Sequence, residues 1–117
     1  MGKIKLFAFL LIFSVSSCTD PKEVAESESQ EAVASVAQME LGLEVYNNKA
    51  QCGMCHTLQA AGSEGQIGTN LDQLKPLMAQ VIAAVTNGIG VMPSFEGMLS
   101  SEEIEAVSYF VSTSTNQ

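Results

Sequence analysis

Five residues carry chemistry at a fixed spacing: Cys52, Gly53, Met54, Cys55 and His56. Two thiols three positions apart fall on one helical turn. Each can form a thioether with a vinyl group of a haem, and the adjacent imidazole then lies under the ring, where its Nε2 can bind the iron. Cys52 and Cys55 are therefore candidate attachment points for one covalent haem c, and His56 is a candidate axial ligand. Other chemistries use part of this set. A thioredoxin-like redox pair needs a βαβ context, and a structural zinc site needs about four ligands. A plain disulfide, open to an exported protein, leaves His56 without a role.

An iron held by His on one side can be closed by Met on the other, which raises its potential. The sequence offers Met92, in the run Gly90-Val91-Met92-Pro93-Ser94-Phe95, where the proline stiffens an irregular loop. Met98 is the runner-up. Met54 lies inside the cysteine run, on the side of His56, and cannot reach across. Met39 and Met78 fall on predicted helix faces. Core filling is the competing use of any methionine.

These residues must be positioned by the surrounding elements. Residues 39–49 have the spacing of a helix, with Leu41, Val45 and Asn48 on one face and Gly42 and Tyr46 on a neighbouring one. A glycine inside a helix costs about 1 kcal/mol relative to Ala, so Gly42 predicts close approach by another backbone. Residues 60–68 hold three glycines and read as loop. Residues 70–74 can form one helical turn. Pro76 suits the start of a helix over 77–86, whose Leu77, Val81, Ile82 and Val85 form an apolar stripe and which Asn87-Gly88 stops. In the last helix, 100–112, Ser100 and Glu103 make a capping box. Its buried face is Ile104, Val107 and Val111, flanked by Tyr109 and Phe110. No strand pattern of useful length is present, so the fold class is all-α.

From about residue 40 to 112 the chain resembles the class I monohaem cytochromes c of the small bacterial type. The matching pieces are Gly42 with Tyr46, Cys52-x-x-Cys55-His56, Gly68-x-Asn70-Leu71, Gly90-x-Met92-Pro93-x-Phe95, and Ala106 with Tyr109. The resemblance implies three to four helices around a covalently attached haem, with first and last helices crossing at Gly42/Tyr46 and Ala106/Tyr109. It also implies His56 and Met92 as the axial ligands. The family often has proline between the equivalents of Gly68 and Asn70, and that residue's carbonyl accepts the proton of the ligand imidazole's Nδ1. Thr69 stands there in this chain. Its carbonyl can serve the same purpose, on a less rigid loop. The Asn70 position approaches the haem region in several relatives.

The N-terminal part reads as a means of export. Residues 1–17 have a basic start at Lys3 and Lys5, an apolar run over 6–13 and small residues before Cys18, the pattern of a cleaved secretory signal. Val15-Ser16-Ser17-Cys18 resembles the bacterial lipoprotein processing box, which makes Cys18 a lipidation site and accounts for the third cysteine. Thr19 follows it, which leaves inner and outer membrane open. Residues 18–38 are acidic, rich in Ser and Ala and without aromatics. They predict a flexible linker unable to fold alone, helical only from about residue 32, leading to a domain over 39–117.

From Cys18 onward three Lys face thirteen Asp and Glu, a net charge of −10. That excludes nucleic acid as a partner, because phosphate contacts need a basic patch. It favours redox donor and acceptor proteins with basic docking faces. The function expected is that of a non-enzymatic electron carrier, tethered by lipid at the periplasmic face of a bacterial membrane. The alternatives are a dedicated cytochrome subunit of a periplasmic oxidoreductase, and a haem sensor or peroxidase with a labile sixth ligand.

Overall fold

The computed structural model describes residues 21–117, with side chains from residue 28. The signal segment and the lipidation site at Cys18 lie outside the described residues. Four α-helices make up the frame: α1, Pro21–Glu44; α2, Leu71–Leu74; α3, Met78–Asn87; and α4, Ser101–Thr115. A π-turn over Val45–Lys49 continues α1, and 3₁₀ turns span Cys52–Met54 and Gln59–Ala61. Two short strands, β1 Thr57–Leu58 and β2 Ser63–Glu64, pair antiparallel with Thr57 opposite Glu64. The all-α reading holds, and β1 and β2 only pinch the loop expected over 60–68.

The first helix begins earlier than its sequence suggested. Residues 21–38, expected as coil with helix only towards their end, are helical throughout. The expectation rested on burial, and burial is indeed slight: Val33 and Val36 are 69% and 57% exposed. Burial is not the only route to a helix. Ala, Glu and Gln are good helix formers, Pro21 suits the first helical position, and the packed C-terminal end of α1 supplies the costly nucleus, so extension needs only propagation.

α1 and α4 meet where Gly42 lies against Ala106 and Phe110. A Cβ on Gly42 would sit 2.5 Å from the Phe110 Cβ and closer still to the Ala106 carbonyl oxygen. Only a hydrogen at this position lets the two backbones touch. One turn on, the fully buried Tyr46 ring packs edge-to-face on Phe110, with centroids 5.9 Å apart. Phe110, not the expected Tyr109, is therefore the partner. Four residues separate Ala106 from Phe110, which puts both on one face of α4, and Tyr109 is left half-buried beside it.

Around this crossing Val45, Leu58, Val81, Val85, Leu99, Ile104, Val107 and Val111 complete the core. Leu77, assigned to the stripe of α3, is 65% exposed. It is the N-cap, with φ −72° and ψ 150°, one residue before the helix, and so does not share its face. The capping box of α4 forms as expected: Ser100 Oγ accepts from the Glu103 N–H at 3.2 Å and Glu103 Oε2 accepts from the Ser100 N–H at 2.9 Å. Lys49 Nζ lies 2.5 Å from Glu103 Oε1, tying the π-turn to the start of α4. The Lys49 hydrogen bond, followed by that of the Ser100 N–H, holds the Glu103 carboxyl below the usual carboxylate range.

Replacing Gly42 by Val forces overpacking at the α1–α4 crossing. A loss of about 1–3 kcal/mol is expected, read as a lower denaturant midpoint with an unchanged slope. A midpoint equal to wild type would show that the crossing has slack.

Candidate functional site

The cysteine run forms by a reversal of direction at the end of the π-turn. Ala50 N–H bonds to Val45 O at 2.8 Å, Gln51 takes a left-handed conformation at φ 52°, and the 3₁₀ turn Cys52–Met54 follows. The N–H groups of Cys55 and His56 both bond back to Cys52 O, at 3.1 and 2.9 Å. The two thiols are thereby carried on one turn. Both are half-buried and neither is in a disulfide. Burial, with Cys55 close by, pushes the unlinked Cys52 thiol up to about 11. No group of three His, Cys, Asp or Glu among the described residues is placed to hold a metal ion alone, which counts against zinc.

His56 is fixed at its ring and at both ends of its backbone. The ring Nδ1 lies 2.8 Å from the Thr69 carbonyl oxygen. A carbonyl only accepts, so Nδ1 carries the proton and Nε2 of the neutral ring keeps its lone pair free. The bond that proline commonly supports in relatives thus survives with Thr69. The ring rests flat on Gly68: a Cβ there would lie 2.5 Å from His56 Cε1 and 2.7 Å from Nδ1. Gly68 is itself held by its N–H to Cys55 O at 2.7 Å.

The His56 carbonyl accepts from Gly65 N–H at 3.2 Å and from Ser63 Oγ at 2.9 Å. Ser63 was not singled out in the sequence. Its Oγ accepts from the Leu58 N–H at 3.1 Å, and it lies 3.1 Å from the Tyr46 hydroxyl and 3.4 Å from the Leu58 carbonyl oxygen. With its proton on His56 O, the nearest carbonyl, it accepts from Tyr46. Burial pushes the Tyr46 hydroxyl up to about 12, which keeps it a donor. Asn70 caps α2 by accepting from the Gln73 N–H, and Asp72 accepts from Gln59 N–H at 2.9 Å, closing the loop after His56.

Met92 lies beyond α3, in a loop tied to the C-terminal end of that helix. Phe95 N–H bonds to Val85 O at 2.9 Å and Ser94 Oγ to Thr86 O at 2.6 Å. Ile89 and Met92 exchange both backbone hydrogen bonds across a tight turn, at 3.1 and 2.9 Å. Gly88 makes this possible, with φ 74° and a Cβ position only 2.7 Å from Met92 O. Met92 is half-buried and packs on the same core as Cys52. Met98 is 58% exposed and Met54 70%.

The donor set fits a covalent haem: two thiols on one turn, an imidazole with a free Nε2, and a thioether in a pinned loop. Its surroundings fit as well. Ile67, Ile89 and Val91 stand 72%, 67% and 86% exposed in the two loops that carry Thr69 and Met92, an apolar surplus the protein alone leaves uncovered. Of two open hollows of about 370 and 390 Å³, the first lies between α3 and α4 and the second borders the cysteine run at Gly53, Met54 and Ser63, and neither is lined by His56 or Met92. Donor chemistry, not an enclosed cavity, marks the site.

A family profile described as "Cytochrome C oxidase, cbb3-type, subunit III" matches residues 37–111. The chain belongs to this cytochrome c family. It is a small class I cytochrome c, and its cofactor is a covalently bound haem c. It is 34% identical over 74 residues to cytochrome c6 of Leptolyngbya boryana, a match covering 60% of this chain and 85% of that protein. Cytochrome c6 of Microcystis aeruginosa is 36% identical over 70 residues, covering 53% and 82% respectively. Among solved structures, the c-type cytochrome SorU from Sinorhizobium meliloti superposes with a TM-score of 0.65 at 47% identity, over 69% of this chain and 94% of that one. The chain is an electron-transfer protein working through c-type haem.

Replacing Gly68 by Ala drives a methyl into the His56 ring. The holoprotein is expected to lose about 1–3 kcal/mol of stability, with displaced His56 ring resonances. Gly62→Asn is the control, because Gly62 has φ 67° and open space around it and Asn tolerates that conformation. Equal effects of the two changes would mean that Gly68 is not a seat for the ring.

Proposed function

We propose that this cytochrome c is a lipid-tethered, non-enzymatic shuttle of single electrons outside the cytoplasm, with its haem iron held by His56 and Met92. The observation that carries this reading is the fixation of His56, with Nδ1 protonated against Thr69 O at 2.8 Å and Nε2 free. When bound, the haem supplies a one-electron Fe(II)/Fe(III) couple. Cys52 and Cys55 would hold it by thioethers. The Nε2 lone pair of His56 would ligate the iron, and the bond to Thr69 raises its basicity and fixes its plane. Met92 would supply a second donor, its thioether, from a loop that Gly88, Ser94 and Phe95 tie to α3. Two protein donors would leave the iron no substrate position, which favours a carrier over a sensor or peroxidase.

Export and tethering are supported by the sequence of residues 1–18, with Cys18 as the acylated residue. The part of α1 up to about residue 38 would then act as the spacer between anchor and haem domain. The described residues contain no helix long and apolar enough to cross a membrane, so attachment would rest on the lipid. Redox partners with basic faces suit the acidic surface. A second reading, a fixed subunit of an oxidoreductase complex, is favoured by the description of the family as an oxidase subunit. Stable co-purification with one enzyme would select it.

Met92→Ala is expected to abolish the low-spin His/Met optical and magnetic signature of the purified holoprotein and to let carbon monoxide bind the reduced form. An unchanged spectrum would move the ligand to Met98. Electron transfer from a donor with a basic docking face should slow as salt rises from about 0.01 to 0.15 M, where the screening length shrinks from roughly 30 to 8 Å. A salt-independent rate would remove electrostatic steering.

A further inference from the structure

The Tyr46 hydroxyl has no evident reason to exist where it is. Tyr46 is fully buried on the α1–α4 crossing, where Phe would fill the same space against Phe110. Its polar tip leaves that crossing and ends on Ser63 Oγ at 3.1 Å, and Ser63 passes a hydrogen bond on to the His56 carbonyl at 2.9 Å. We infer that Tyr46 and Ser63 are positioning residues, a two-hydroxyl relay through which the packing of α1 on α4 sets the backbone of the haem-ligating histidine. The inference rests on the assignment of His56 as an axial ligand.

Three observations support the relay. The first is the order of distances. The shortest acceptor of Ser63 is His56 O at 2.9 Å, against 3.4 Å to Leu58 O, and a proton given there leaves Ser63 to accept from the Leu58 N–H and from the Tyr46 hydroxyl. Direct bonding of Tyr46 to His56 O is long, at 3.5 Å, so the path runs through Ser63. The second is that Ser63 also braces the cysteine run. A Cβ on Gly53 would lie 2.7 Å from Ser63 Cβ and 3.5 Å from Tyr46 Cε1, so the Cys52–Met54 turn lies directly on this pair. The third is that the ring of His56 hydrogen-bonds to Thr69, an exposed loop residue. A ring held on its outer side by a surface loop depends more heavily on the anchoring of its own backbone. Hydrogen bonds in series also polarise one another, so loss of the outer member weakens the inner one.

The test uses the reduced holoprotein, in which the His56 ring protons are read by NMR. The readouts are the solvent-exchange rate of the Nδ1–H and the reduction potential. Tyr46→Phe keeps the core intact and should speed exchange severalfold, in line with one weakened hydrogen bond. Ser63→Ala should speed it about tenfold, in line with outright loss of one. The double variant should be no faster than Ser63→Ala alone, because the two act in series. The potential should move in the same direction in all three. Val81→Ala is the control, because it loosens the buried core on α3 rather than at the α1–α4 crossing and bears neither hydroxyl. It should lower the unfolding temperature and leave both readouts as in wild type. If Tyr46→Phe lowers the unfolding temperature but leaves exchange and potential unchanged, the relay is only structural and the inference is overturned. The same holds if the two single effects simply add. Failure of the underlying ligand assignment would look different: the wild-type spectrum itself would lack His56 ring resonances shifted by a haem.

Discussion

One hydrogen bond decides what this site can be. With the Thr69 carbonyl 2.8 Å from Nδ1, the imidazole of His56 is held in a single tautomer and a single plane. A free imidazole would populate both tautomers and rotate, and the tautomer protonated at Nε2 would offer iron no lone pair there. The surrounding sequence is shaped to permit this bond. Gly68 gives the ring a flat seat, and its own N–H is held by Cys55. The loop from Thr57 to Asn70 folds back by way of β1 and β2 so that a carbonyl thirteen residues away can reach the ring. The proline that commonly supports this carbonyl in the family is dispensable, because the acceptor is a backbone atom and belongs to whichever residue stands there.

The frame and the site are one structure. The close approach of Gly42 to Ala106 and Phe110 is made by α1, and α1 runs without interruption into the π-turn that launches the cysteine run. The wide turn matters: its hydrogen bond from Ala50 to Val45 adds a residue to the helical repeat, and such insertions often mark functional sites. Here it lets Tyr46 keep its ring on the crossing while the chain turns away towards Cys52. At the other end, Lys49 is bound to Glu103 in the first turn of α4. The segment that delivers Cys52, Cys55 and His56 is thus held at both ends by the same helix.

Much of this was legible in the sequence, for identifiable reasons. The cysteine run is contiguous, so its chemistry needs no tertiary information. The Ser100–Glu103 box and the Asn87-Gly88 stop are local backbone chemistry, and both formed as expected. Gly42 suggested a close approach because a helical glycine costs stability, and the contact with Ala106 and Phe110 sets aside a merely tolerated surface glycine. The errors came where position depends on the fold as a whole. Phe110 rather than Tyr109 faces Gly42 because the angular phase of α4 is set by packing. Leu77 looked like part of the α3 stripe because periodicity cannot see that the helix starts one residue later. Helix over 21–31 was missed because burial alone leaves out a nucleus supplied by the domain. Ser63 was invisible because serine in a glycine-rich loop is expected to face solvent. The only hint was a tyrosine at a helix–helix contact, whose hydroxyl had to find a partner.

The apolar residues that the protein leaves uncovered follow from its size. A chain this short cannot close a large core of its own. The helices bury one cluster between α1, α3 and α4, and Ile67, Ile89 and Val91 are left outside it, at 67% exposure or more. An apolar residue exposed singly is ordinary. These three sit in the two loops that also carry Thr69, the partner of one proposed axial ligand, and Met92, the other. A haem held between those loops would supply the apolar surface they lack, completing the core with the cofactor itself. The same residues that would clamp the iron would then be stabilised by the ring they surround, so attachment at Cys52 and Cys55 would couple the stability of the fold to the presence of its cofactor.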